Sequence, residues 1–273
     1  MEESGKICNI VSKEYPLFFP LIRAGRNRIR RTGFAQSMEG MKELTKDIDR
    51  KEVAGIGFGG QMHGLVTLDE NDQVIRPAIL WNDGRTQEET EYLNNEIGKN
   101  KLSEYTANIA FAGFTAPKIL WMKKNEPDKF ARIAKIMLPK DYLAYCLSGS
   151  FCTDVSDASG MLLLDVKNRC WSKEMMEICG VKEEQLPKLY ESWQVVGTLK
   201  KIHCRRAGFS ENVKVLQAQE TMLPLLLEQE QWETDSATSL LEPQEQSLFP
   251  VKILALMKTM LFIPSVTQTE AII

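Results

Sequence analysis

The sequence predicts an α/β fold, because short apolar runs alternate with amphipathic helical segments from residue 37 to about residue 200. Three passages carry that prediction. Residues 37–50 place Met38, Met41, Leu44 and Ile48 at helical spacing, which gives a helix one apolar face. Residues 53–59, VAGIGFG, are an uncharged run of small and apolar residues, as in a strand buried on both faces. Residues 136–149, IMLPKDYLAYCLSG, pass from an apolar strand through a proline into a helix, whose first turn tolerates proline. Lys140 and Asp141 stand at that helix start, where an acidic side chain complements unpaired backbone N–H groups.

The remaining elements follow in order. KICNIVSKEY (6–15) alternates as a strand after a turn at Gly5. Residues 64–75 read as a hairpin turning at Asn71-Asp72. Residues 87–97 predict a charged helix, 116–124 a second helix and 128–136 a short third. Residues 153–160 are rich in Asp and Ser and read as a loop. Asp165 and Trp171 flank a turn before a helix over 173–179. No internal repeat is present, and the one biased tract is a Gln/Glu enrichment in 217–246.

Composition excludes several function classes. Of 273 residues, 43% are hydrophobic and 26% charged, and the net charge of −3 leaves no global footprint for a nucleic-acid partner. Six cysteines are scattered without a CxxC pair and only two histidines occur, so reduced thiols in a cytoplasmic protein are expected rather than a disulfide frame or a zinc site. Residues 247–263 are apolar but broken by Pro250, Lys252 and Lys258, whereas a spanning helix needs about 20 mainly apolar residues. They read as a sticky helix, and no membrane partner is expected.

The chemistry-bearing stretch is 55–85, GIGFGGQMHGLVTLDENDQVIRPAILWNDGR. Gly59 and Gly60 let the main chain approach a ligand closely. Gln61, His63, Trp81, Asn82, Asp83 and Arg85 supply donors, acceptors and one flat apolar face. A sugar uses that mixture, hydroxyls on the polar groups and its C–H face on the indole. Any one of these residues alone reads first as part of a hairpin with a buried Trp and a structural His; taken as a set they read as a ligand site.

GGQMHG followed by RPAILWNDGR resembles the xylulokinase group of the FGGY family of carbohydrate kinases. Further strings continue the resemblance in order: GFTAPKILWMKKNEP (113–127), IMLPKDYLAYCLSG (136–149), TDVSDASGMLLLDV (153–166) and LPKLYESWQVVGTL (186–199). Together they cover roughly residues 37–201. The resemblance implies the actin-like, ribonuclease H-like ATPase fold of the family's N-terminal, sugar-binding domain. It implies ATP-dependent phosphorylation of D-xylulose with Mg²⁺, and it allows a homodimer for the intact enzyme. Sugar contacts are implied at Met62 and His63, with Trp81, Asn82 and Asp83 in the neighbouring wall. Asp83 reads either as a hydroxyl ligand or as a turn cap, and Asp154, Ser156 and Asp157 either as cleft residues or as capping structure. Lys118 and Lys140 match the motifs, and the resemblance assigns neither a catalytic role.

Three departures from the family pattern are present. The opening phosphate-binding strand–turn–strand is missing, which predicts a gap in the sheet. Residues 21–36 carry five arginines and no acid where the family has a Trp/Pro-rich segment. After NVKV (212–215) the family's Gly-Asp-Asn-Ala-Ala segment, with its general-base Asp, does not follow. Codons compatible with 21–33 and 217–228 encode the family motifs in a neighbouring frame, and all 17 glycines lie at or before Gly208. The chain is therefore expected to comprise a partial N-terminal domain over 1–201, out of frame at 21–36. A damaged end over 202–215 and a frameshifted, poorly ordered tail over 216–273 would follow. No catalytic residue is assigned, and the polypeptide is expected to be inactive. The alternatives are a non-catalytic sugar-binding or interaction fragment, or another sugar kinase of the family.

Overall fold

A computed structural model describes residues 10–11, 29–60, 62–217, 255–256 and 260–265, with the side chains of 29–33, 255–256 and 260–265 outside that description. Gln61, the strand expected at 6–15 apart from its residues 10–11, and most of 216–273 lie outside the described residues.

Helix α1 (Ile29–Leu44) leads into strand β1 (Gly55–Gly60). The helix expected at 37–50 thus begins and ends earlier, reaching back into the arginine-rich segment. Its Met38, Met41 and Leu44 are buried as the spacing predicted, and Ile48 packs against the same cluster from the turn beyond. Strand β2 (Val66–Leu68) follows, with a turn over Asp69–Gln73 in which Asp72 is left-handed.

Helix α2 (Gln87–Glu91), a π-helical stretch (Tyr92–Gly98) and α3 (Lys99–Thr106) extend the predicted charged helix by more than two turns. Helices α4 (Thr115–Asn125) and α5 (Pro127–Phe130) precede strand β3 (Lys135–Met137). The helix expected over 128–136 is corrected to a single turn and a strand. Ile133 and Ile136 have helical spacing, but β3 pairs antiparallel with β2, Val66 opposite Met137, and this long-range pairing buries them.

Helix α6 (Pro139–Ser148) starts at the predicted proline and stops at Gly149, φ 88°. The loop expected over 153–160 is also corrected. It is strand β4 (Cys152–Asp154) running into helix α7 (Val155–Ser159). Its acids mimic a solvated loop locally, yet they are buried because a cation from α6 meets them. Strands β5 (Leu164–Asp165) and β6 (Cys170–Trp171) form the small hairpin. Helix α8 (Lys173–Cys179) matches its predicted bounds: Ser172 Oγ accepts from Met175 N at 3.3 Å, and Gly180 closes the helix at φ 71°.

Strands β7 (Lys188–Tyr190) and β8 (Val195–Thr198), helix α9 (Lys201–Ala207) and strand β9 (Lys214–Gln217) follow. Residues 202–206, read from the sequence as damaged, lie within α9, and His203, Cys204 and Ala207 of that helix are buried. Strands β10 (Ala255–Leu256) and β11 (Met260–Ser265) complete a five-stranded sheet ordered β10-β11-β1-β9-β8. β1 runs parallel to β9 and to β11. β11 pairs with β1, and residues 260–263 form strand rather than the sticky helix expected there.

Two main cores result. One packs α1, β1, α6, α9 and β9 through Met41, Ile56, Phe58, Leu147 and Val215. The other packs α4, α8 and residues 158–164. The end of β1, at Gly60, delivers the Met62–His63 turn to the boundary of α4 and α7.

Candidate functional site

His63 is the centre of the site. Its backbone is left-handed, φ 66°, a conformation that costs a non-glycine residue energy and needs outside support. Support comes from two directions. The His63 carbonyl accepts from Thr115 Oγ1 at 3.2 Å and from Lys118 Nζ at 2.9 Å, both in the first turn of α4. The ring sets Nδ1 2.9 Å from the Gly160 carbonyl and lies 4.7 Å from the Phe114 ring.

Burial holds the imidazole down to about 4, with the Lys118 charge adding to that and the Gly160 carbonyl opposing it. The ring is therefore neutral near pH 7. A carbonyl can only accept, so Nδ1 carries the proton and Nε2 keeps a lone pair. Gly160 makes this fit: a Cβ there would stand 2.3 Å from His63 Cε1.

Lys118 is fully buried. Besides His63, its ammonium donates to the Phe114 carbonyl at 3.1 Å and to the Gly113 carbonyl. Burial brings it down to about 7, with Asp83 opposing the shift. The same Gly113 lies against Trp81, for a Cβ on it would be 2.9 Å from the Trp81 carbonyl oxygen. His63 and Trp81, 18 positions apart in the sequence, thus both adjoin the segment 111–114.

Trp81 is partly exposed, Asn82 exposed and Met62 partly buried. Asp83 is placed differently from a free hydroxyl ligand. Its Oδ1 accepts from the Arg85 backbone N–H at 3.1 Å and from Arg85 Nε at 2.8 Å, and Oδ2 accepts from Arg85 Nη2 at 2.6 Å. Burial would raise this carboxyl, but the Arg85 bonds and charge outweigh it and hold it below the usual range. The guanidinium so fixed lies 4.8 Å from the Trp121 ring centre.

A second polar group lies deeper. Lys140 Nζ, fully buried, meets Asp154, Asp157 at 2.9 Å and Asp141 at 3.3 Å. Gln217, on β9, donates to Asp141 Oδ1 at 2.9 Å and to the Cys152 carbonyl at 3.1 Å. Asp154 Oδ1 also caps α7 through the Ser156 and Asp157 N–H groups, both at 3.0 Å. This knot ties α6, β4, α7 and β9 together, so the acids of residues 153–157 stand in capping and ion-pair roles. Burial raises Asp141 against the opposing pull of Lys140.

Sequence reasoning missed Phe114, Gly160 and the position of Lys118. All three lie in strings matched as motifs, GFTAPK and DASG, but no local pattern says that they converge on His63. Phe111, 51% exposed, stands at the lip with its ring 5.3 Å from Phe114.

Known proteins resemble this chain in sequence and fold. The model of the FGGY family of carbohydrate kinases, N-terminal domain, matches residues 1–226. A xylulose kinase from Lactococcus lactis subsp. lactis (strain IL1403) is 40% identical over 218 residues, covering 79% of this chain and 43% of the relative. The chain thus spans less than half the length of that relative. Among solved structures, a xyloylose kinase from Brucella ovis is 37% identical with a TM-score of 0.62, over 68% of this chain and 39% of that one. A gluconate kinase from Lactobacillus acidophilus is 25% identical with a TM-score of 0.73, over 80% and 44%. With the α/β fold and these matches in agreement, the chain belongs to the FGGY family of carbohydrate kinases, whose N-terminal domain its residues 1–226 match.

Proposed function

We propose that this chain is the sugar-binding half of a xylulokinase-type enzyme, whose whole protein phosphorylates D-xylulose to D-xylulose 5-phosphate with ATP. The observation that carries the reading is the neutral His63, protonated at Nδ1 and presenting Nε2 as an acceptor. A sugar hydroxyl donates to such a nitrogen. Met62 offers an apolar edge, Trp81 a flat face and Asn82 an amide. Asp83 acts by holding Arg85, because both its oxygens are already engaged. The name shared by the Lactococcus lactis relative supports the ketose.

As it stands the polypeptide is read as inactive. The transfer needs a base for the acceptor hydroxyl. Among the described residues of the site Asp83 is bound to Arg85, Asp141, Asp154 and Asp157 cluster on Lys140, and the family's Gly-Asp-Asn-Ala-Ala segment with its base does not follow residue 215. Among the described residues no group of three or more His, Cys, Asp or Glu side chains could hold a metal ion. ATP and Mg²⁺ belong to the whole enzyme, and the residues of this chain bind and orient the acceptor. Positioning of that kind supplies much of the rate in phosphoryl transfer. A frame change near residue 215 accounts for the missing base. Residues 261–265 nonetheless pair with β1.

Calorimetry of the full chain with D-xylulose tests the reading, with D-gluconate as comparator because one structural relative is a gluconate kinase. Half a cleft buries little of a small sugar, so a Kd on the order of millimolar is expected. Binding that prefers D-xylulose and is lost in His63→Ala supports the site. Indifference to His63, or equal binding of gluconate, overturns it. A coupled ADP assay should show no turnover, and resequencing the gene near residues 20, 36 and 215 should show single-base changes.

A further inference from the structure

We propose that Lys118 is a positioning residue, a buried ammonium clamp that holds His63 in its left-handed, hydroxyl-accepting pose. The argument starts from donor arithmetic. An ammonium has three N–H donors, and three backbone carbonyls surround this one: His63, Gly113 and Phe114. All three donors are spent on main chain, and no carboxylate lies within ion-pair distance of Nζ among the described residues. Burying a lysine this way is costly, and a merely structural role needs no charge at a place where an apolar side chain would pack.

The three carbonyls are not a random set. One belongs to the residue with the strained backbone, and two belong to the segment that carries the aromatic neighbour of its ring. Lys118 therefore fixes both the His63 main chain and the Phe114 wall from a single point on α4. Its charge also bears on the imidazole, helping to keep the ring neutral. The titratable and charged groups facing it are the neutral His63, Asp83 and, through Asp83, Arg85.

The clamp itself stands without the ketose reading. Only the ligand arm of its test rests on that reading. The readout is the protonation and tautomer of His63 by NMR in the labelled full chain, with His203→Gln used to assign the two imidazoles. In the wild-type chain His63 should show the Nδ1-protonated tautomer. Its signals should also shift as the Lys118 ammonium titrates, near pH 7. In Lys118→Met the His63 midpoint should rise, since the Lys118 charge is one of the causes that lower it, with the two tautomers mixed. A folded Lys118→Met with an unchanged His63 midpoint and tautomer overturns the proposal. If that variant does not fold, the wild-type titration decides. A shared inflection of His63 and Lys118 supports the clamp, and His63 signals indifferent to the lysine overturn it. D-xylulose affinity should fall about tenfold or more in Lys118→Met, consistent with the loss of one oriented hydrogen bond. A wild-type chain that does not bind D-xylulose defeats the ketose reading and leaves the NMR result to judge the clamp.

Discussion

Gly160→Ala should disable the site through one contact. The backbone at Gly160 is right-handed helical, φ −78°, so alanine carries no conformational penalty there. Its effect on the unfolded chain even favours folding, by about 0.4–1 kcal/mol. The cost is steric. The new methyl would lie 2.3 Å from His63 Cε1 and 2.6 Å from Nδ1, where carbons rest at about 3.5–4.0 Å. The ring must move by more than an ångström, which breaks the 2.9 Å contact between Nδ1 and the Gly160 carbonyl. Overpacking of this kind costs about 1–3 kcal/mol and the lost hydrogen bond about 1 kcal/mol. After the backbone gain, a net loss of about 1–3 kcal/mol is expected. Urea unfolding of the wild type, Gly160→Ala, His63→Ala and the double variant closes the cycle. In the His63→Ala background the methyl has nothing to strike, so Gly160→Ala should become neutral or stabilising there. Equal effects of Gly160→Ala in both backgrounds would refute the reasoning, because the penalty would then not act through His63.

Four further outcomes are expected. The depressed His63 pKa means that the unfolded chain binds a proton which the folded chain refuses. Its contribution is therefore fully present above about pH 6.5 and is lost as pH falls toward about 4. Urea midpoints at pH 7.5 and 4.5 should differ more for the wild type than for His63→Gln. Lys140→Met leaves Asp141, Asp154 and Asp157 together without their cation, and circular dichroism should show a loss of about 3–5 kcal/mol or failure to fold. Asp83→Ala removes the cap and releases Arg85; a stability loss of about 1 kcal/mol is expected, and a fluorescence change is expected only if Trp121 responds to the freed guanidinium. Thiol titration at pH 8 should label exposed Cys170 before Cys179, whose thiol burial pushes up to about 12.

Local pattern made much of the fold legible. The helices at 139–148 and 173–179 carry their own start signals, Pro139 and the Ser172 cap, and terminal glycines, and these act over one or two turns whatever the surroundings. The errors fell where a distant partner outvoted local chemistry. Ile133 and Ile136 have helical spacing, yet a strand nearly 70 residues upstream pairs with β3. The Asp/Ser segment at 153–157 looks solvated, yet Lys140 reaches it from α6.

The sequence by itself determined the family strings, the strand that ends at Gly60 and the residue types of the site. Those are properties of neighbours along the chain, set by spacing and backbone preference. Only the tertiary structure decided what each residue does. It gave His63 its tautomer through a carbonyl 97 positions away, and its backbone through a lysine 55 positions away. It set Asp83 against Arg85, both carboxylate oxygens accepting from the guanidinium. Desolvation, charge and steric fit depend on what surrounds a group in three dimensions, and no window along the chain contains them.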